Sequence, residues 1–428
     1  MDESAVTMNR DGRDSAFSIV KALAIIFVVI AHAGAPSGLG RAAYIFSVPV
    51  FFMCTGYFFN LHYVEDVKTF VWRRFRNLYC PFWIWAVVFL VLHNVFFWVG
   101  ILNEEYGNAA GGVLHPYTWH DFCQRLWSVT FNMSGYDEFL CGAFWFFRTL
   151  FISSLAFLFL YKVIAHFSKW TKPTHIVGAI MAIVCALTVW KIEGNLKITG
   201  VAQGGYRELL AIFFICVGFL YRQYQRLFKP NWLYAAFGVG VLALFTWWSP
   251  SSMSYNANLT QFVSLPLPAF AAFVALHISA QKQVNYNNLV TRGLVYIGDR
   301  TLYIFAFHLL AFKVVSIIKV LAFDLPWSHV GGHTIVHDEV GGFAFFLLYV
   351  IAGVALPLLT MVVWKKMDAR YNLTWFNCLK YIFHAIVVSV SFVYRVIKAF
   401  FMAVWRSFKN FFRDMKDLLK ASNPKEDE

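Results

Sequence analysis

Apolar positions in this chain come in long unbroken runs, not in alternation. Ten such runs can be placed, at about 15–35, 42–60, 78–100, 140–161, 174–190, 206–221, 231–248, 259–280, 297–320 and 341–364. Most approach the roughly twenty residues that carry a helix across a bilayer. Their continuous character argues against a transmembrane barrel, whose strands alternate. The pattern predicts an all-α polytopic membrane protein with about ten transmembrane helices. After Trp364 the character changes. Arg395, Lys398, Arg406, Lys409, Arg413, Lys416 and Lys420 recur at helical spacing, with Phe400, Phe401, Phe408 and Phe412 among the intervening residues. That reads as an amphipathic helix on a membrane surface containing anionic lipid. The preceding 381–394 has two readings, the start of that helix or an eleventh span. The expected organisation is an N-terminus at 1–14, a membrane domain at 15–364 and a basic tail at 365–428.

Composition agrees. The 428 residues are 59% hydrophobic and only 14% charged, where soluble domains average about 25% charged. Mean hydropathy is +0.58. The net charge of +13 would in a soluble protein suggest nucleic acid, but no such motif is present. The basic residues sit between the runs, fourteen in alternate segments that include Arg10, Lys68, Lys162, Arg222 and Lys282, against four (Arg41, Arg125, Lys191, Lys197) in the others. That asymmetry predicts both termini in the cytoplasm, with the first run an uncleaved signal-anchor. Of seven cysteines none forms a CxxC and none has metal-ligand spacing. Cys123 and Cys141 could pair if the long segment 101–139 faces an oxidising compartment.

Charge inside the runs changes the picture further. The first run carries Lys21 and His32, eleven residues apart. Three helical turns put them on one face, about 16 Å apart. Ionisable groups at membrane depth commonly mark a functional path. The plainer alternative is a snorkelling lysine and a histidine bonded to a backbone carbonyl. Arg73, Arg74 and Arg76 precede the third run. They suit a phosphate at a helix N-terminus, or are the ordinary basic flank of a span. Trp145 and Arg148 open the fourth run, and Arg207 and Glu208 the sixth, where an interfacial ion pair is expected. Pro266 and Pro268 predict a broken helix. His308 and Lys313 lie within the ninth run. Aromatics mixed with carboxylates in 101–139 suit either a sugar-binding lid or an interfacial belt. Membrane carboxylates are scarce, which lowers the weight of a proton-coupled carrier. A histidine can serve as a general base near neutral pH.

Lys21-x10-His32, FSVPVFFMCTGYFF, RRFRNLYCPFWIW, GAFWFFRTLF and YIGDRTLYIFAFHLLAFK, in that order across 15–320, resemble the acyltransferase-3 family of membrane O-acyltransferases. The likeness is to the branch that acetylates cell-surface polysaccharides. Lys21 stands where the family more often has arginine. The resemblance implies a ten-helix core, acetyl-CoA as acyl donor, a carbohydrate hydroxyl as acceptor, no metal, and the inner membrane of a bacterium as location. It implies His32 as catalytic base and Arg73 and Arg76 as the donor-contacting pair, with Arg74 a substitute and Lys21 beside them. Trp145, Arg148, His308 and Lys313 would shape the acceptor site or stabilise an oxyanion. A transporter or flippase for an anionic lipid-linked sugar is the alternative reading.

Overall fold

The structure is a computed structural model. It describes residues 14–107, 115–137, 139–168, 170, 172–197, 202–228, 231–254, 257–332 and 334–371, with Met402 and Arg406. The predicted amphipathic tail and the possible eleventh span at 381–394 therefore lie outside the described residues, apart from those two positions. The chain divides into two units, Met1–Leu359 and Thr360–Glu428. Everything below concerns the first.

Its helices are α1 (Ser15–His32), α2 (Ser37–Tyr57), α3 (His62–Glu65), α4 (Val67–Arg74), α5 (Cys80–Trp98), α6 (Glu104–Gly107), α7 (Trp119–Asn132), α8 (Trp145–Phe167), α9 (Pro173–Glu193), α10 (Tyr206–Tyr224), α11 (Trp232–Trp248), α12 (Leu259–Ser264), α13 (Pro266–Val284), α14 (Leu289–Gly298) and α15 (Thr301–Ala322). The last helix, α16 (Gly342–Tyr371), begins in this unit. Among the described residues there is no strand. Eight helical segments are long and apolar enough to cross a membrane, and the chain is an all-α polytopic membrane protein. Each of the ten predicted spans coincides with a helix. The helix carries on where a break was expected: α12 ends at Ser264, Leu265 keeps helical backbone angles and bonds back to Gln261, and α13 follows from Pro266, so Leu259–Val284 forms one span.

α1 is the central helix. Asp14 caps it, accepting from the Ala16 and Phe17 amides at 2.9 and 3.2 Å, which satisfies donors that a helix start otherwise leaves open. It packs on α2, α13, α14 and α15. Lipid is as apolar as leucine, so close packing and polar ties must hold membrane helices together. Glycines supply the closeness. A Cβ on Gly56 of α2 would strike the Ile215 carbonyl of α10, and one on Gly218 of α10 the Met53 carbonyl of α2. Gly298 lies in the same way against the Ser18 carbonyl of α1. Beside it, Ser18 Oγ donates to Asp299 at 2.6 Å.

Two further expectations change. Cys123 is an exposed free thiol and Cys141 a buried one, so the pair forms no disulfide. Residues 101–139 are also more than a loop, because they contain α7. Asn94 on α5 exchanges two hydrogen bonds with the Tyr117 backbone, at 2.8 and 2.7 Å, just before α7 begins. Tyr79 and Trp83 reach Thr130 in its last turn, at 2.6 and 3.0 Å. α7 therefore runs antiparallel along α5.

Candidate active site

His32 is the last residue of α1, and the chain turns at Gly34, where φ is +74°. Its Nδ1 lies 2.8 Å from the Val28 carbonyl. A carbonyl only accepts, so Nδ1 donates and the neutral ring carries its lone pair on Nε2. His32 lines a small cavity of about 20 Å³ with Val28, Tyr44, Ser47, Trp145 and Ser252 among the walls. That is room for a water-sized group. Tyr44 stands edge-on to the His32 ring, 5.9 Å between centroids. The arrangement is a fixed proton acceptor at the wall of a recess with polar and apolar sides between helices.

His308 is fully buried, its ring 5.2 Å from that of His32. Its Nδ1 is held by the Ile304 and Phe305 carbonyls at 3.0 and 3.1 Å. Its Nε2 has no hydrogen-bond partner. A neutral His308 so held presents a lone pair, not a donor, towards its surroundings. To serve as an oxyanion donor it would have to carry a proton on Nε2.

Trp145 is a cavity wall. Arg148 is not. It is 1% exposed and its Nε donates to Glu208 at 3.2 Å, where Thr149 also donates. The expected Arg207–Glu208 pair does not form, because adjacent residues on a helix point about 100° apart. Glu208 turns to Arg148 instead. Arg207 covers the Trp145 ring at 4.3 Å and donates to the Met253 carbonyl at 3.3 Å. Glu208 is buried, in the first turn of α10. Lys313 does not line the cavity. It donates to the Val330 and Gly332 carbonyls at 2.7 Å each, fastening the turn Trp327–Gly331 to α15.

Arg73, Arg74 and Arg76 do not line the cavity either. α4 passes into α5 through a π-helical turn, Phe75–Tyr79, a feature frequent at functional sites. The helix continues through this turn, so no open N-terminus stands behind the arginines. The phosphate site expected there has guanidinium groups alone. Arg73 donates to Tyr63 at 2.6 Å, Arg74 lies over Phe70 at 5.0 Å, and Arg76 is exposed. Lys21 is half-buried on α1, one helical face with His32. Among the described residues no group of three or more His, Cys, Asp or Glu could hold a metal ion.

The sequence reading missed Arg207 as a partner of Trp145, and Tyr44, Ser47 and Ser252 as cavity residues. Tyr44 lies in the quoted family of apolar runs but carries no charge to mark it. Ser252 lies in a turn whose proximity to His32 is purely tertiary.

Comparison with known families decides the class. An acyltransferase family, described as "Acyltransferase domain", matches residues 14–362. The chain belongs to the acyltransferase-3 family. It is thus a membrane-embedded acyltransferase, and the matched residues include α1, α8, α10 and α15, which carry His32 and its neighbours. No match is found among curated proteins or among solved structures.

Proposed function

We propose that this acyltransferase moves an acetyl group from acetyl-CoA to a hydroxyl of a cell-surface carbohydrate, with His32 as general base. The observation that carries the reading is the His32 ring, pinned through Nδ1 and facing a cavity between helices. Pinning fixes the tautomer and aims a single lone pair, as a base requires. In the proposed step Nε2 takes the proton of the acceptor hydroxyl as its oxygen attacks the thioester carbonyl. The C–O bond forms, the C–S bond breaks, and the departing thiolate recovers the proton from His32. A transient acyl-His32 is the less favoured route, since it would make Nε2 the nucleophile.

Arg73, Arg74 and Arg76, with Lys21, are proposed to hold the anionic donor. A donor anchored there would send its thioester along α1, whose rise from Lys21 to His32 is about 16 Å. Trp145 offers an acceptor wall. With the arginines on the cytoplasmic side, where the donor is made, both termini lie in the cytoplasm, and the inner membrane of a bacterium is the proposed location. The family match favours transfer over the carrier reading.

The test is release of free CoA thiol by purified protein in lipid discs, with acetyl-CoA and a carbohydrate acceptor. Loss of a general base typically costs about 10²–10⁴ in rate, and His32→Ala is expected in that range. Full activity in His32→Ala would overturn the assignment. Absence of thiol release from the unaltered protein would count for the carrier.

A further inference from the structure

We infer that α7 is a re-entrant element whose exposed aromatic face lies in the hydrocarbon of the bilayer. Arg76, in the π turn, and Trp98, at the end of α5, are both exposed. Between them run 21 helical residues, roughly 32 Å and about the thickness of a hydrocarbon core. Val88, Val91, Leu92, Val95 and Trp98 form an exposed apolar face on this stretch, as a lipid-facing helix should.

α7 lies beside that stretch and does not stand above it. One end is fastened at Asn94 and the other at Tyr79 and Trp83. Both fastenings fall between Arg76 and Trp98, so α7 descends by roughly 16 Å from near the Trp98 end. Its own residues are graded in the same sense. The first half carries Trp119, His120, Asp121, Gln124 and Arg125; the second is Leu126–Asn132, LWSVTFN. Trp119, Cys123, Trp127 and Phe131 recur every four residues and share one face. Trp119, Trp127 and Phe131 are 78%, 65% and 65% exposed.

Arg125 and Thr130 are committed inward. Arg125 covers the Tyr117 ring at 4.3 Å and donates to the Gly135 carbonyl at 3.2 Å. Tyr117 stacks on His93 at 3.4 Å, and His93 pairs with Asp137 at 2.7 Å, both wholly buried. Thr130 returns its hydroxyl to the Leu126 carbonyl at 2.8 Å. In the second half Asn132, at the tip, is the exposed polar exception; His120 and Gln124 are exposed in the first half, nearer the Trp98 end. With Trp127 and Phe131 exposed and Thr130 bonded within the protein, the second half of α7, tied alongside α5, meets lipid chains. A carbohydrate lid would need the aromatic face in water.

The test uses the full chain in proteoliposomes and two photoactivated carbene probes, one on a phospholipid acyl chain and one water-soluble, with modified residues mapped by mass spectrometry. The acyl-chain probe is expected to label 126–131 to an extent similar to 88–95 and at least about fivefold more than 103–107. Labelling of 126–131 mainly by the water-soluble probe would overturn the inference. As a second measurement, nitroxides at Trp127→Cys and Phe131→Cys should collide with oxygen in preference to a water-soluble nickel chelate, as at Val91→Cys. Preference for the chelate, as at Glu105→Cys, would also overturn it.

Discussion

Arg148 separates two accounts of this site, and the pairing with Glu208 makes the difference measurable. The guanidinium is 1% exposed and its Nε is 3.2 Å from Glu208. At an effective dielectric near 20, that separation corresponds to an attraction on the order of 5 kcal/mol, most of it offset by desolvating both ions. Removing one partner leaves a buried charge alone, which costs about 3–5 kcal/mol. Replacing both with apolar residues of similar volume is close to neutral. Glu208→Leu and Arg148→Met are therefore each expected to destabilise by about 3–5 kcal/mol, while the double variant recovers to within about 2 kcal/mol of the parent. The assay is a double-mutant cycle in detergent unfolding, with thiol release measured on every variant. If Arg148→Met unfolds like the parent yet loses a hundredfold or more in rate, about 2.7 kcal/mol, then Arg148 acts in the chemistry and the structural account is wrong.

Other predictions bear on packing, on the arginine-bearing end and on the cavity wall. Gly218→Ala should destabilise by about 1–3 kcal/mol or more, because its Cβ meets the Met53 carbonyl. Gly240→Ala, with nothing near it, should be neutral or gain up to about 1 kcal/mol from helix propensity; detergent melts of the two variants check the contrast. Asp66 caps α4, accepting from the Thr69 amide at 3.1 Å. Hydrogen bonds from the Thr69 side chain and amide hold its carboxyl below the ordinary 3.8. Its stabilising effect is thus present above the unfolded-state value and is lost as pH falls through the lower folded value. Amide exchange in 67–70 should accelerate only in that acid window, and Asp66→Ala should show the fast exchange at neutral pH. Arg207→Leu removes the cover from Trp145, an interaction of about 0.5–2 kcal/mol. It should raise KM for the acceptor severalfold and leave KM for the donor unchanged; an equal change in both would detach Arg207 from the acceptor wall.

The sequence was most informative where one residue type has few physical outcomes. Runs of twenty apolar residues have one stable solution in lipid, so every span coincides with a helix. The prolines misled: Pro266 lacks an amide, which costs one helical bond, yet the helix runs on through Leu265. The histidines were legible as unusual residues but not as neighbours, since the 5.2 Å between the His32 and His308 rings is set by how α1 and α15 pack. Charged residues were legible as costly but not as paired. Glu208 and Arg148 are sixty positions apart, and nothing local to either tells which way it faces. α7 escaped detection for a related reason: its fourteen residues are too few and too polar to register as a span, and its depth depends on ties to Tyr79, Trp83 and Asn94.

What distinguishes the candidate chemistry from the framework is a held ring at the wall of a recess. Insertion into a membrane is costly for every ionisable group, so rarity alone cannot pick out those that act. Lys313 has donated to two carbonyls, Lys319 is bound to Asp338 at 2.7 Å, and Arg148 to Glu208. Each tie holds two elements in register, which is sufficient reason for its presence. The two histidines differ. Each has Nδ1 spent on orientation by a backbone carbonyl; Nε2 of His308 has no hydrogen-bond partner, and the ring of His32 lines the recess. Orientation without satisfaction has no stabilising value in a fold, because a lone pair left open forfeits about 1–3 kcal/mol once water is withdrawn. It has value in a catalyst, which must keep the acceptor in place until a substrate proton arrives.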